Sequence, residues 1–600
     1  MWVAALVVTV TVGATAVAVG ASGATKVQRL SDNSGTLALG SPTPPVSLNP
    51  AENGAGQSEL YMDLAYASLI RANPNGSYSP NLAASFRYIG KGNQRFEIVL
   101  RKGLKFSDGT PLNSQAVKTY LNYFGKAGGP LAASESDITN IATPNATTVV
   151  LTLSAANPAM PYFFSEDGLL GAIISPKAIA GNVSALGTTT DGAGPYELNT
   201  SDTVQGSSYV FTPNPHYYVP SARHYAKVVV HVYSSFNTAF EALQSGQVQW
   251  EQSSTTYVSQ AKSAGLAAVI RPNGMNGLFI TDTGGSIVPA LANLQVRQAI
   301  NYALDRPALA SAIEQSAGVP LEQIEAPGFQ GYSKTAEATY SYDVTKAKSL
   351  LTQAGYPNGF TFNCVTDGFN PTDEPLAEAI AQELSAIGVT MNITTDATFS
   401  NFAADFFTGK FPTTVFTWGS ANMFYVAGQL VMPTGVMNLF KNSNPAMIAL
   451  YNKASAAAPT AANKLWQQLS TLITQQAWFA PAIVAQNVFL VKKNLSGVND
   501  GLVYPDPDFF ANSAPHVVVS RITGVAVSGR RVVMRVLGSN FSGTPKVTSN
   551  AAGTTVRVAK TSSSVLSLLV TTRAGTGKGV HLLTIRFANG QVRKIRYNVS

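Results

Sequence analysis

Helix-period and strand-period segments alternate through the middle of this chain, and that alternation constrains its fold more than any other feature. "YDVTKAKSLLTQAGYPNGFTFNCVT", residues 342–366, reads as an amphipathic helix, a stop at Gly355, a Pro-Asn-Gly turn and a strand. "PLAEAIAQELSAIGVTMNITT", residues 375–395, repeats helix and strand. Upstream, "NLQVRQAINYALDRPALASAI" places Val296, Ala299, Ile300, Ala303 and Leu304 at helical spacing, then restarts at Asp305, an N-cap, with Pro307 in the first turn. "FEIVLRKGLKFSDGTPL" holds two strands around the Arg101-Lys102-Gly103 turn, then the Asp108-Gly109 turn and a helix capped at Asn113 or Ser114. Such a sequence specifies an α/β body.

Six hundred residues exceed what one core supports, so three or more lobes of roughly 100–200 residues are expected. With 45% apolar and 12% charged residues, the composition is that of a folded extracytoplasmic protein. Cys364 is the sole cysteine, which excludes an intramolecular disulfide and any multi-cysteine zinc site. It falls in a strand and is expected to be a buried, inert thiol. The net charge of +8 is unevenly spread. Residues 521–600 carry 13 Lys and Arg and no Asp or Glu, leaving 27 basic against 32 acidic residues before them.

"MWVAALVVTVTVGATAVAVGASGATK" opens with an apolar run ending in Ala16, Ala18, Ala21 and Ala24, the pattern of a signal peptide over 1–24, or of a membrane anchor of marginal length if uncleaved. No cysteine follows it, which excludes a lipoprotein anchor there. From Arg521 onward, apolar and polar residues alternate, with turns at Ser528-Gly529 and Asn589-Gly590, which predicts a small antiparallel β-sandwich over 521–600. Arg531, Arg535, Arg557, Arg586, Arg593, Lys594 and Arg596 take its outward positions. A cationic face is expected, with an anionic wall polymer or lipid surface as its partner and nucleic acid excluded for an exported protein.

Catalytic signatures are missing: there is no G-x-S-x-G, Walker A or H-E-x-x-H sequence. His216, His224 and His231 cluster, but their spacing of eight and seven is no metal-ligand pattern on one helix. No enzyme activity, cofactor or metal is expected. "TWGSANMFY", residues 417–425, is uncharged and joins an indole to small, amide and aromatic residues. Both a pocket wall and a buried core segment fit that composition.

"SLIRANPNGSYSPNLAASFRYIGKGNQRFEIVLRKGLKFSDGTPLNSQAV", then "GAGPYELN", "NPHYY", "FEALQSGQVQW" and "VRQAINYALDR" follow in order. Together they resemble the family 5 extracellular solute-binding proteins, the peptide and nickel receptors of ABC importers. The resemblance runs from about Gly35 to about Asp508. It implies a two-lobed periplasmic-binding-protein-like fold, class II, with a third subdomain inserted in the first lobe. The expected ranges are 35–65, 195–275 and 480–515 for lobe I, 66–194 for the insertion and 276–479 for lobe II. Hinge closure on a peptide-like or other elongated solute, and delivery to a membrane permease by an exported monomer, follow from it. Gly109, Gly194 and Gly246 are expected in turns, and Arg297 and Asp305 in helix capping or pairing.

In peptide-binding members, the 417–425 segment carries a tryptophan, small residues and an aspartate that holds the peptide's ammonium group. Trp418 matches the tryptophan, whereas the aspartate position falls on Ala421 or Asn422. The implied ligand contacts are Trp418, Ser420, Asn422 and Tyr425, with Phe279 and Ser41, and the amine anchor is weakened or removed. The alternative is a wall- or surface-attached adhesion protein that keeps the receptor fold without transport.

Overall fold

Local signals mostly settle into helices and strands where the sequence places them; of the two strands expected around the Arg101-Lys102-Gly103 turn, Arg95–Leu100 forms and the second is reduced to an isolated bridge between Lys105 and Pro111. Asn113 caps Ser114–Ala127, its side chain accepting from the Ala116 N–H, and Asp305 caps Arg306–Glu314 by accepting from Ala308 N–H. Gly109 has φ +82°, the left-handed conformation that its turn requires. Arg297 is buried and donates to the carbonyls of Leu291, Ala292 and Gln476, so it closes the ends of two helical segments instead of pairing with an acid.

The computed structural model describes residues 35–600 apart from 55–57, 133–134, 136, 221–223, 420–421, 500, 508–509, 513–517, 540–543, 563 and 588–591. The leader or anchor expected over 1–24, and the Asn589-Gly590 turn, lie outside the described residues. Among those described, no helix is long and apolar enough to cross a membrane.

One ten-stranded mixed sheet organises the body. In its first half, Thr36–Ser41 pairs parallel with Lys227–Val232 and Trp250–Ser253. In its second half, Thr361–Asp367 pairs parallel with Thr390–Asp396 and Thr413–Gly419. Two long antiparallel strands, Ala267–Ile280 and Phe479–Val491, join the halves. Phe479–Val491 pairs Ser253 at Val488, and Ala267–Ile280 pairs Gly419 at Gly274. The carboxyl ends of strands from both halves therefore converge on the middle of the joining strands, the place where α/β sheets form ligand clefts. The register slips there, leaving Asn273 unpaired between Pro272 and Gly274, and such bulges re-aim side chains.

Alternation decides which face each residue serves. On Ala267–Ile280, Leu278 and Ile280 pack in one buried cluster while Met275 and Phe279 pack in another, so the second half of the sheet is covered on both faces. A separate four-stranded antiparallel sheet of residues 83–153, backed by Ser114–Ala127, forms the inserted unit. Cys364 is fully buried in its strand, and burial pushes its thiol up to about 12.

The C-terminal segment folds into a four-stranded and a three-stranded antiparallel sheet. Met534, Val536, Leu568 and Val570 of one meet Leu583, Ile585 and Tyr597 of the other in a core of their own. This is a sandwich. Its basic residues do not gather on one face. Arg531, Arg535, Arg557 and Lys560 alternate outward from the four-stranded sheet, and Lys546, Arg586, Lys594 and Arg596 from the three-stranded one. Arg593 departs from the expected outward set: it pairs with the buried Ile585 and shares the inward face with Ile595 and Tyr597, because it is adjacent to the outward Lys594. The other inward positions are taken by the shared core, so the remaining charges must divide between two opposed surfaces.

Candidate functional site

The Thr417–Tyr425 segment leaves the carboxyl end of Thr413–Gly419 and enters the helix Met423–Leu430. Three cavities lie along it. Thr417 lines a cavity of about 180 Å³ beside the two joining strands, Asn422 a cavity of about 260 Å³, and Phe424 and Tyr425 a cavity of about 790 Å³. The large one opens between the inserted unit, through Asn157 and Phe163, and the Tyr451–Ser455 turns of a facing helix.

Thr417, Trp418, Asn422 and Tyr425 are positioned by identifiable bonds and ring contacts. Asp373 is buried and accepts from the Thr417 N–H (2.9 Å), the Thr417 hydroxyl (2.8 Å) and the Asn276 amide (2.7 Å). Burial, and next the neighbouring Asp367, raise its pKa. Trp418 is half-buried and stacks on Tyr425 with centroids 6.2 Å apart; its Nε1 has no hydrogen-bond partner. Tyr425 also meets Tyr162 and Phe163 of the inserted unit, both at 5.9 Å. Asn422 is the N-cap of its helix, accepting from the Tyr425 N–H, and shares a hydrogen bond with the Tyr78 phenol.

Other expected contacts fall elsewhere. Phe279 lines none of the three cavities: at 1% exposed it packs edge-on between Phe416 and Phe479, because strand alternation turns it into the core. Ser41 sits at a strand's carboxyl end, buried, with its hydroxyl donating to the Thr43 carbonyl. Ser420 lies outside the described residues.

Sequence reading missed an acidic pair beside this segment. Glu166 accepts from the Ser68 hydroxyl and the Ala72 N–H (3.0 Å), and Asp167 is buried with one carboxylate oxygen unpartnered. Burial holds both above the usual carboxylate range, and burial, with Asp167 and Glu166 adding to it, raises the pKa of Tyr78. The inserted unit is latched to the facing helix by Asn93, whose amide donates to the carbonyls of Ser455 (2.8 Å) and Ala457 (3.0 Å) at that helix's C-terminus. These are the orphan acceptors of a helix end.

Comparison with known proteins agrees with this architecture. The glutathione-binding protein GsiB of Escherichia coli (strain K12) is 25% identical over 489 residues, covering 77% of this chain and 91% of the relative. Among solved structures, AgaA from A. tumefacien R10 in complex with agropinic acid has a TM-score of 0.67 at 24% identity, covering 80% of this chain and 99% of its own. DppA from Helicobacter pylori in complex with the peptide STSA has a TM-score of 0.66 at 19% identity, covering 80% and 98%. These two share the fold. The family described as bacterial extracellular solute-binding proteins, family 5 Middle, matches residues 77–428. More than half of the sequence is matched, by a family of transport binding components without catalysis: the chain belongs to the family 5 bacterial extracellular solute-binding proteins.

Proposed function

We propose that this protein is exported and captures a peptide-like or other elongated solute for an ABC importer, closing about the two joining strands and handing the solute to a membrane permease. The observation that carries the reading is the Thr417–Tyr425 segment, which borders three cavities along the line where the two half-sheets and the inserted unit meet. Trp418, Ser420, Asn422 and Tyr425 are the proposed ligand contacts of that wall, with lobe I over 35–65, 195–275 and 480–515, the insertion over 66–194 and lobe II over 276–479. A glutathione-binding relative supports a peptide-like solute.

Closure is tested through the Asn93 latch. Asn93 has φ +52°, which Asp tolerates as well as Asn, so Asn93→Asp removes the two donors without straining the turn. By small-angle scattering the variant is expected to have a larger solute-free radius of gyration than the unaltered protein. The solute that copurifies should shrink both, at a higher concentration for the variant. An unchanged radius in the presence of solute that calorimetry shows to be bound counts against hinge closure.

Attachment without transport draws support from the C-terminal sandwich, whose two cationic faces suit an anionic wall polymer or lipid surface. The full chain should bind anionic cell-wall polymer at low salt and release it as the Debye length shortens to about 8 Å near physiological ionic strength. A chain ending at residue 520 should not bind. Retention that ignores salt, or that survives the truncation, removes the sandwich from the interaction.

A further inference from the structure

Positive charge in the C-terminal sandwich has no internal remedy. Residues 521–600 hold 13 Lys and Arg and no Asp or Glu, so any anion that pairs with them must come from elsewhere. The body does not supply it. Arg531, Arg535, Arg557 and Lys560 on the outer surface of the four-stranded sheet, and Lys546, Arg586, Lys594 and Arg596 on that of the three-stranded sheet, are all exposed in the whole chain. Among the described residues, none of these eight side chains makes an ion pair or a hydrogen bond.

Strand register sets the cations in short rows. Arg535 and Lys560 flank Ser567, each paired with it across a strand boundary, and Lys546 stands directly opposite Arg586. Like charges in directly opposed positions, about 5 Å apart, destabilise a sheet, and a bound anion would relieve them. Two strands apart, cations are still only about 10 Å from one another. Hydroxyls stand among them: Ser567 and Thr571 on one surface, Thr548 and Thr584 on the other. Guanidinium forks, ammonium groups and hydroxyls in repeated array are the donors that phosphate or carboxylate groups recurring along a chain would meet.

What the surfaces lack decides among polyanions. Among the described residues, the outward positions of both sheets include no Phe, Tyr or Trp. The bases of a nucleic acid would find no ring to stack on, and a bilayer would find no aromatic anchor at headgroup level. Geometry also disfavours a bilayer. The two sheets share one core, so their outer surfaces point away from each other, and a planar membrane that touches one leaves the cations of the other in water. A linear polymer has no such limit. Arg573 and Lys578, both exposed, lie where the chain crosses from one sheet to the other.

We propose that the sandwich is a two-sided module for a linear polyanion, an anionic wall polymer and not a bilayer, with each face holding its own stretch of polymer so that one receptor ties two strands together. The inference rests on the attachment reading of the sandwich and deepens it, by naming a polymer as the partner and two as the number of sites.

The probe is inorganic polyphosphate too short to pass from one face to the other, titrated calorimetrically into the full chain at low salt. Two probe chains are expected to bind per protein. Arg531→Gln, Arg535→Gln, Arg557→Gln and Lys560→Gln together should leave one site, and so should Lys546→Gln, Arg586→Gln, Lys594→Gln and Arg596→Gln together. A charge-matched variant, with Arg531→Gln, Arg535→Gln, Lys594→Gln and Arg596→Gln, thins both faces and should keep two sites, each at least tenfold weaker. All three variants should melt with the unaltered protein, since only exposed positions change. One site on the unaltered protein, or binding that one face alone carries, overturns the proposal. Phosphatidylglycerol vesicles are the second arm: retention on them without polyphosphate binding gives the surface to a membrane and overturns it as well. A single site on the full chain that a chain ending at residue 520 lacks removes the second face and keeps the attachment reading.

Discussion

Glu251→Gln should melt at a higher temperature than the unaltered protein at pH 8.5, with the advantage shrinking as the pH falls toward 5. Glu251 is 0% exposed on Trp250–Ser253, and neither carboxylate oxygen makes a hydrogen bond; the Ser253 hydroxyl is near but outside bonding geometry. Desolvation by burial pushes its carboxyl up to about 8. In the unfolded chain the same group ionises near pH 4.3. Between those values the unfolded state binds fewer protons than the native state, so stability falls as pH rises through the window and levels off above it. At about 1.4 kcal/mol per pH unit, the loss is on the order of a few kcal/mol, or several degrees of melting temperature. Glutamine keeps the shape and cannot ionise, so its thermal profile should be flatter. Glu166, Asp167, Glu314 and Glu383 are raised by burial as well, so a residual slope remains. Identical slopes for the two proteins in differential scanning calorimetry would remove Glu251 from the account.

Two tryptophans separate the pocket from the core. Trp466 is 0% exposed and set against Tyr451 (5.7 Å) and Phe424 (6.5 Å). Trp466→Ala should therefore lose about 3–5 kcal/mol of stability, as large aromatic truncations in cores do. Trp418 is half-buried and lines none of the three cavities itself, but its ring partner Tyr425 lines the large one. Trp418→Ala should melt much closer to the unaltered protein, yet bind the copurified solute at least tenfold more weakly, since the ring supplies contact area to the ligand. Asn422→Asp is the companion variant. An aspartate caps the helix as well as asparagine does, but it places a charge beside Tyr78, where Asp167 and Glu166 already act. Calorimetric titration and thermal melting on each variant decide the assignment: a Trp418→Ala protein that binds normally moves the ligand wall out of this segment.

Much of the architecture is written in short-range pattern. The restart at Asp305, the stop at Gly355 and the burial of Cys364 each depend on a few neighbouring residues, and each appears where periodicity and capping chemistry place it. The outward alternation of the basic residues was equally legible except at Arg593, which pairs with Ile585 on the inward face, and only the pairing of strands into two sheets reveals that the others divide between opposed faces. The site was less visible. The cavity beside the joining strands gathers residues 253, 273, 314, 417 and 486, whose meeting is a consequence of strand order and leaves no local period. The Glu166–Asp167 pair looks in sequence like an ordinary solvated turn; it is the packing of Tyr78 and Ala72 against it that takes it out of water. Phe279 shows the converse limit, for an aromatic residue on a joining strand can face cleft or core, and one step of register decides which.

Cys364 pairs with Thr413 on the strand next to the sheet's edge, with no accessible surface and a thiol held far from ionisation at neutral pH. Thiol-directed dyes and spin labels react with accessible thiolates, and so should pass over it in the folded molecule. One new cysteine placed on each side of the large cavity would then carry both labels of a distance measurement without Cys364 having to be replaced. The proposed closure could be followed by electron–electron resonance or energy transfer on an otherwise unaltered background.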